Sequence, residues 1–511
     1  MNWRIYLFLA FLGSCLSIAI AQFQAFPGYL DSDYYFAGGI QLAQGKGFTE
    51  PYLWNYLDDP QGLPHPSHTY WMPLSSIVAA AGMWITGKST YPAGRLGFIF
   101  LSGLVPIITA ALAYNFTKRR EFAIISGLLA VFSIYYAPFL PVPDNYGPYL
   151  VLGGLYFLTL GLRRDYSYFI LGLIAGLLTF ARNDGLLWFG LTFLVIIWRF
   201  NADRKPAEAA FKFLLAFAGF GLIMGPWFWR TYKLYGTLLA PGGGHLLWLK
   251  TYDETFIYPA SLLNMASWLS QGLNNIISTR LMALRWNLLN AFAAQGGIFL
   301  FPFILIGIWK YRKDERIRLG LMAWSGLLLV MTLIFPYAGS RGGFFHSGAA
   351  LQSLWWTLAP PGLEVIVIAA RKRNLFTPNA LKIFGGALVG ISILMTAVII
   401  SIRVLQSWGE GEQSYPKIEA YLQQAGIRPE DVVMDRNPPG YYMMTGQPAI
   451  VVPYGDEVSI YAAALRYNAK YLILEKAGVI GPINSVYEDK QNVHFRFMNE
   501  INGTRIFEIK P

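Results

Sequence analysis

Two aspartates stand close together at the start of the first polar segment of the chain. Asp31 and Asp33 lie in the stretch LDSDYYFAGG, directly after the apolar run 3–22. Carboxylates two residues apart can share a divalent cation, or one can act as a general base while the other orients it. One of them could instead cap a helix, because an acid at an N-cap satisfies free amides. The pair is our first candidate for catalysis, and Mg²⁺ or Mn²⁺ is the cofactor it would bind.

Histidines and aromatic residues follow in the same loop. His65 and His68 lie in the stretch PHPSHTYWMPL. Imidazole can bind phosphate, donate to an oxyanion or ligate a metal, and the alternative for each is an ordinary solvated loop histidine. Tyr34, Tyr35 and Trp71 are candidates for contacts with a sugar or an acceptor, although such rings also anchor membrane interfaces.

Further charged groups interrupt or end apolar runs. Arg182 and Asp184 separate two such runs, Arg230 follows the sequence PWFW, and Arg341 and His346 lie in GSRGGFFHSG. A charge at membrane depth is costly and is a functional hypothesis by default. We expect the three arginines and His346 to bind a phosphate group and Asp184 to contact the acceptor or sugar. The alternative for Arg182 and Asp184 is an ion pair at a helix junction.

The composition indicates the class of protein in which these residues are placed. The chain has 511 residues, of which 55% are hydrophobic and 14% charged, against about 25% charged in soluble proteins. It is therefore a membrane protein. The net charge of +11 comes mostly from basic clusters at the ends of apolar segments, where they set topology under the positive-inside rule. The single cysteine, Cys15, excludes a disulfide framework and a cysteine metal cluster.

Hydropathy predicts a mainly α-helical, polytopic protein with about eleven transmembrane helices, since a span needs about twenty apolar residues. The runs are 3–22, 94–115, 121–140, 147–162, 166–181, 184–199, 211–229, 296–310, 318–336, 351–370 and 380–402. Cytoplasmic basic clusters at 118–120, 163–164, 199–205, 310–318 and 371–373 give one consistent topology. The protein is then integral to the plasma (inner) membrane with a cytoplasmic N-terminus. Cleavage of a signal peptide after Ala21 is the alternative to an uncleaved first span.

Two domains follow from this topology. Residues 1–403 form a transmembrane catalytic domain with outer loops 23–93 and 231–295, and residues 404–511 form a small extracytoplasmic α/β domain. In the latter we predict strands at 432–434, 449–452, 471–474 and 505–509, a helix at 457–467, and a hairpin turn at Asn502-Gly503. Its most polar cluster, 435–437, is typical of a strand-end turn. We predict a short interfacial helix after Asp31 and an interfacial or re-entrant helix over 71–85.

The candidate residues all fall on the outer face in this topology, which favours an active site at the outer leaflet. The sequence contains no P-loop, GxGxxG, HExxH or GxSxG signature. Nucleotide hydrolysis, soluble cofactor chemistry and serine or zinc hydrolysis therefore have no support.

The order of several motifs resembles the GT-C superfamily of integral membrane glycosyltransferases. These motifs are LDSDYYFAGGIQLAQGKGF, HPSHTYWMPLSSIVAAAGMWITG, the basic-ended second span, LLTFARNDGLLW and GPWFWRTYKLYGTLLAPGG. The group includes protein O-mannosyltransferases and the aminoarabinose transferases that modify lipid A. The resemblance covers roughly residues 1–240 motif by motif and the later spans by pattern only.

The resemblance implies transfer of a hexose or pentose from a polyprenyl-phosphate donor to an acceptor hydroxyl on a glycan, lipid or protein. Asp31, with Tyr35 four residues later, matches the family's catalytic aspartate. Asp33 is then an additional acid that joins a metal site or tunes Asp31. The usual cation of the lipid A branch is replaced by His68, so Arg182 or Arg230 would supply that charge. One base and direct displacement imply inversion at the anomeric carbon.

Two other functions remain open at this level. A lipid-linked sugar flippase would have many spans and intramembrane charge, but its polar residues would follow both halves of a central path. A polysaccharide ligase or polymerase would use a similar donor, with its polar residues in a large late loop. No nucleic-acid partner is expected.

Overall fold

The computed structural model describes residues 2–203, 205–478, 481–489 and 492–510. These residues form two compact units. Unit 1 comprises Met1–Gln24, Arg95–Arg230 and Ser278–Trp408. Unit 2 comprises Ala25–Gly94, Thr231–Ile277 and Gly409–Pro511. By this division, most of the two long loops that the sequence analysis assigned to the transmembrane domain belongs to the same unit as the C-terminal segment.

The secondary structure is dominated by helices. The helices are α1 (Trp3–Ala21), α2 (Leu30–Ala43), α3 (Leu74–Thr86), α4 (Tyr91–Gly94), α5 (Leu96–Thr117), α6 (Arg120–Val131), α7 (Tyr146–Leu160), α8 (Asp165–Ala181), α9 (Leu186–Asp203), α10 (Pro206–Tyr235), α11 (Gly242–His245), α12 (Met265–Leu269), α13 (Leu273–Asn290), α14 (Phe301–Lys310), α15 (Glu315–Leu329), α16 (Pro336–Ala338), α17 (Phe344–Arg371), α18 (Ala380–Ile400), α19 (Tyr415–Gln424), α20 (Pro438–Thr445), α21 (Glu457–Arg466) and α22 (Asn484–Glu488). The strands are β1 (Thr49–Glu50), β2 (Tyr52–Leu53), β3 (His65–Pro66), β4 (Val432–Asp435), β5 (Ala449–Val451), β6 (Ala469–Glu475), β7 (Phe495–Ile501) and β8 (Thr504–Ile509).

Each of the predicted apolar runs contains a helix. Among the described residues, seven helical segments are long and apolar enough to cross a membrane, or eight if the bent pair Leu273–Gln295 and Ile298–Lys310 forms one span. The chain is therefore an integral membrane protein. Helices α6, α7 and α8 have 12, 15 and 17 residues, fewer than the twenty or so that a straight span needs. The count of eleven spans remains a prediction.

Small residues bring the helices of unit 1 close together. A Cβ added to Gly153 of α7 would lie 1.9 Å from the carbonyl oxygen of Ala350 on α17. One added to Gly362 of α17 would lie 1.8 Å from the carbonyl oxygen of Phe303 on α14. Only glycine permits such approaches, which are typical of helix packing in membranes. They fix α17 between α7 and α14.

Two glutamates link the basic ends of these helices. Glu364 of α17 accepts from Arg119 and from Lys310 Nζ at 2.7 Å. Glu315 of α15 accepts from Arg199 Nε at 2.8 Å and from Arg163 Nη2 at 3.3 Å. The basic clusters that the predicted topology places on the cytoplasmic side are thus joined in two groups, one around Glu364 and one around Glu315.

Unit 2 contains a six-stranded sheet in the order β2-β5-β4-β6-β8-β7. The first four strands of this order are parallel, and β6, β8 and β7 pair antiparallel. The parallel strands β4 and β5 are buried on both faces, as is usual for a parallel arrangement, whereas the edge strand β7 is largely half-buried or exposed. Met434 and Leu472 face the core formed with α21 and α22, while Val433 and Ile473 face the core formed with α19 and α20. The C-terminal segment is therefore an α/β fold, as predicted.

Sequence patterns located most of these elements. The predicted strands correspond to β4, β5, β6 and β8, the predicted helix to α21, and the hairpin turn to Asn502 and Gly503, whose φ angles are +53° and +77°. Helices are present at both predicted places, as α2 and α3, although α3 begins only after Pro73. Their position at the membrane interface remains a prediction. Strand β7 and helices α19 and α20 were not predicted.

Candidate functional site

Both candidate aspartates lie in the first turn of α2. This helix begins at Leu30 with Tyr29 at its N-cap, and the Tyr29 side chain makes no capping hydrogen bond, so neither acid occupies the N-cap position. Residues two apart on a helix do not face each other. Asp33 is fully buried, whereas Asp31 is half-buried. Carboxylates suit Mg²⁺ or Mn²⁺ as ligands, but this divergence disfavours a cation held jointly by these two acids.

Asp33 is held inside unit 2. Its Oδ2 accepts a hydrogen bond of 2.7 Å from Asn437 Nδ2. Burial, and then the charge of Glu412, raise the pKa of Asp33 well above its ordinary value. Two neighbouring buried acids disfavour each other's ionised form. Retention of a proton on Asp33 is therefore favoured.

A second acid pair lies beside the first. Asp435 and Glu475 end the adjacent parallel strands β4 and β6. Burial, and then the charge of Glu475, raise the pKa of Asp435 to about 7, and burial raises that of Glu412 to about 7. The Tyr415 hydroxyl donates to Glu475 Oε1 at 3.3 Å. Four carboxyl groups thus surround one buried tyrosine, and the charges of all four raise its pKa.

The two loop histidines are buried. His65 Nε2 lies 3.1 Å from the carbonyl oxygen of Tyr52, and its Nδ1 lies 3.1 Å from that of Pro66. Burial lowers the pKa of His65 to about 4, whereas its two carbonyl acceptors and the buried Glu50 carboxylate, 3.3 Å from Nε2, favour the charged form. His68 Nδ1 lies 2.7 Å from Ser67 Oγ, and Nε2 lies 2.9 Å from Ser76 Oγ. Their ring nitrogens are engaged in internal hydrogen bonds, which favours a structural role for both.

An aromatic cluster fills the space next to α2. Tyr34 and Tyr35 are 1% and 0% exposed, and their rings pack edge to face at 5.9 Å. Trp71 is half-buried and stacks on Trp54 with ring centroids 4.0 Å apart. Of the three aromatic residues predicted to contact a sugar or an acceptor, Trp71 is the one whose ring is partly accessible.

In unit 1, the predicted site residue His346 lies near the start of α17, among other polar side chains. His346 Nδ1 donates to Asn145 Oδ1 at 2.8 Å and lies 3.9 Å from Asp144 Oδ1. The imidazole also stacks on Tyr146 with ring centroids 4.0 Å apart. The backbone N–H of Asn145 donates to Asp144 Oδ1 at 2.5 Å. Asp144 is completely buried. The backbone N–H of Asn145 and the imidazole of His346 are among its neighbours.

The junction of α8 and α9 holds a second polar group of unit 1. Arg182 Nε donates to Asp184 Oδ1 at 2.9 Å, which is the ion pair that the sequence left as the alternative. Ser347 of α17 donates to the other carboxylate oxygen, and the Tyr149 hydroxyl lies 3.4 Å from Oδ1. Asp184 therefore ties three helices together.

The other two predicted cations are differently placed. Arg230 lies over the ring of Trp227, with its guanidinium carbon 4.5 Å from the ring centroid. Arg341 is exposed in the break between α16 and α17, where Gly342 has a φ of +113°. Sequence reasoning missed Glu412 as a site residue and read Asn437 only as part of a turn. No local sequence pattern indicates that Glu412 and Asn437 lie near Asp33, because both follow it by hundreds of residues along the chain.

Solved structures share this fold. The Archaeoglobus fulgidus oligosaccharyltransferase aligns with a TM-score of 0.59 and 12% identity over 99% of this chain and 74% of that one. ArnT from Cupriavidus metallidurans aligns with a TM-score of 0.55 and 11% identity over 97% of each chain. Its structure with undecaprenyl phosphate gives 0.52 and 10% over 98% and 97%. The sequence matches no protein-family model and no curated protein.

These neighbours define the architecture of the chain. Both are GT-C glycosyltransferases, so the fold expected from the sequence motifs is confirmed. The oligosaccharyltransferase has also been solved with dolichol phosphate and an inhibitory peptide, and with zinc and sulfate. At such low identity the likeness concerns the fold alone.

Proposed function

We propose that this protein is a glycosyltransferase that moves a sugar from a polyprenyl-phosphate donor to an acceptor hydroxyl. The observation that carries the proposal is the half-buried Asp31 in the first turn of α2, within a chain that has the GT-C fold throughout its length. The neighbours' complexes with undecaprenyl and dolichol phosphates support this donor class.

Asp31 is the proposed general base. It takes the proton of the acceptor hydroxyl as the acceptor oxygen attacks the anomeric carbon and the bond to the phosphate oxygen breaks. Polyprenyl phosphate leaves as a stable anion, so no strong acid is required. One displacement inverts the anomeric carbon. Asp33 does not take this role in the proposal, because its carboxyl group is buried and bound to Asn437.

Cations would stabilise the departing phosphate through preorganised electrostatics. Arg230 and the exposed Arg341 are our candidates for this role. Arg182 would add its positive charge to the phosphate site while paired with Asp184. The sugar would contact Trp71, since flat aromatic faces suit sugar rings. A divalent cation bound at Asp31 would help to bind the donor phosphate through its positive charge.

The test is transfer of radiolabelled sugar from a panel of polyprenyl-phosphate donors by the purified protein in lipid, with and without EDTA. Asp31→Asn should lower transfer about 10²–10⁴-fold, the usual contribution of a positioned base. The matched control is Asp59→Asn, an exposed acid of the same unit. Donor translocation without transfer in the wild type would instead identify a flippase, and full transfer by Asp31→Asn would exclude this base.

We further propose a cytoplasmic N-terminus in the plasma (inner) membrane, with the C-terminal segment outside. The joining of Arg119 to Lys310 through Glu364 supports a common side for these basic clusters. A reporter fused after Gly411 should therefore be active only if it is exported. A cytoplasmic signal from that fusion would contradict the topology.

A further inference from the structure

Helix α20 of the C-terminal segment holds the beginning of α2. Asn437, the N-cap of α20, donates its amide Nδ2 to Asp33 Oδ2 at 2.7 Å. Its Oδ1 simultaneously accepts the backbone N–H of Gly440 at 3.2 Å. One side chain thus starts α20 and binds the first turn of α2. The bond to Asp33 is charge-assisted when that acid is ionised, and Asp33 itself is buried.

The same helix also holds the end of α2. The side-chain amide of Gln41 donates to the hydroxyl of Tyr442 on α20 at 2.6 Å. Gln41 is buried, and the ring of Tyr442 packs against that of Tyr52 at 5.5 Å. These two hydrogen bonds, one buried and one partly buried, lie eight residues apart on α2 and five apart on α20, and they therefore fix both the register and the rotation of α2.

The sheet anchors α20 itself. The backbone N–H of Asn437 donates to Asp435 Oδ2 at 3.0 Å, directly at the end of β4. After α20 the chain enters β5, which pairs with β4 in the centre of the sheet. A helix held between two paired strands has little freedom to move. It offers a rigid support for a catalytic residue.

We propose that α20 is a clamp on α2, with Asn437 and Asp33 as positioning residues for Asp31. This inference rests on the proposed function only in taking Asp31 as the base. Asp31 shares the first turn of α2 with Asp33, so a shift of that turn moves both. Misplacement of a reacting group by about 1 Å can cost about 100-fold in rate. The clamp gives the C-terminal segment a part in catalysis without contact with the substrate.

The first test variant is Asn437→Ser. Serine retains the N-cap of α20 but is too short to reach Asp33. We expect kcat for sugar transfer to fall 10- to 100-fold with little change in the KM of the donor, and amide exchange of residues 30–36 to accelerate in the full-length protein in lipid. Asn484→Ser, an exposed asparagine at the start of α22, is the matched control and should change neither.

The second test exchanges the partners. Asp33→Asn combined with Asn437→Asp restores an amide-to-carboxylate bond in the opposite direction and keeps an acceptable N-cap. We expect the double variant to recover most of the transfer rate and exchange protection that either single variant loses. A direct role of Asp33 on substrate or cation predicts no recovery of transfer, and that result would overturn the inference.

The exchange measurement separates this inference from the proposed function. If Asp31→Asn transfers normally, the assignment of the base fails, but protection of α2 still reports the clamp. Unchanged protection and kcat in Asn437→Ser would exclude the clamp even if Asp31 proves to be the base. Accelerated exchange in Asn437→Ser with an unchanged kcat would also overturn it, because the bond would then be structural only.

Discussion

The two units hold their buried acids in different ways. In unit 1, Asp184 is matched by the guanidinium of Arg182 and the hydroxyl of Ser347. In unit 2, burial and then a neighbouring acid raise the pKa of two carboxyl groups: Glu412 acts on Asp33, and Glu475 acts on Asp435. An ion pair needs no extra proton, whereas neighbouring buried acids favour one. Unit 1 should therefore resist changes of pH that alter unit 2.

Removing the cation should affect unit 1 most strongly. Arg182→Ala leaves Asp184 buried without its guanidinium partner, and breaking a buried ion pair costs about 3–5 kcal/mol. Thermal unfolding in lipid measures this loss. The double variant Arg182→Ala/Asp184→Ala should be less destabilised than the single one. For comparison, Arg428→Ala removes an exposed cation whose partners are the exposed Glu430 and the buried Asp431, and it should destabilise the protein less, because solvent screens the charge of Arg428. Equal effects of the two single variants would break the contrast.

The pH response of unit 2 has a definite sign. The pKa of Asp435 is about 7 in the folded chain, against an ordinary value of about 4. The folded state therefore binds more protons than the unfolded state between these values, so this group's contribution to stability is full below about pH 4 and is lost as the pH rises to about 7. Each pKa unit corresponds to about 1.4 kcal/mol, and we expect a loss of about 2–4 kcal/mol.

Asp435→Asn should flatten this response. Its amide still accepts a backbone N–H and can donate to Glu475. The measurement is hydrogen exchange of β4 and β6 between pH 4 and pH 8, corrected for the intrinsic rate. The exposed Glu430→Gln should leave the wild-type slope unchanged. A slope that Asp435→Asn does not alter would assign the response to other groups.

A smaller effect is expected where the first acid pair is converted to an acid and an amide. Glu412→Gln can accept the Gly28 N–H that the carboxylate accepts now and donate to Asp33. Since the amide removes one of two neighbouring acids that disfavour each other's charge, unit 2 should gain about 1–2 kcal/mol at pH 8 and little at pH 5. Glu412→Ala should lose stability at both values. A thermal shift series over pH distinguishes the two, and a gain in the alanine variant would contradict the pairing.

What the sequence could predict depended on how far apart the partners lie along the chain. Asp31 could be selected as a candidate because it follows an apolar run closely, and the Arg182–Asp184 pair was foreseeable because only one residue separates them. The hydrogen bond from Asn437 to Asp33 joins residues that are 404 positions apart, and no local pattern encodes it. The burial of His65 and His68 was also invisible, because their hydrogen-bond partners are hydroxyls and carbonyl groups that any loop contains.

The missed strands have physical reasons as well. β2 has two residues and acquires its identity only by pairing with β5. β7 has an irregular register between Phe497 and Asn499, so its alternation of apolar and polar residues is broken. The spans were easier, because hydropathy acts over a whole helix and tolerates local exceptions.

The discontinuity of unit 2 has a consequence for biosynthesis. Its first stretch, Ala25–Gly94, is synthesised hundreds of residues before Gly409–Pro511, which supplies most of the strands of its sheet. Until the last stretch is made, Tyr52 and Leu53 have no β5 to pair with, and the first turn of α2 has no Asn437. A nascent chain thus carries this incompletely folded stretch while its later helices are made, and such exposed apolar surface is what chaperones recognise. Quality control of this protein should therefore depend on the final fifth of the chain.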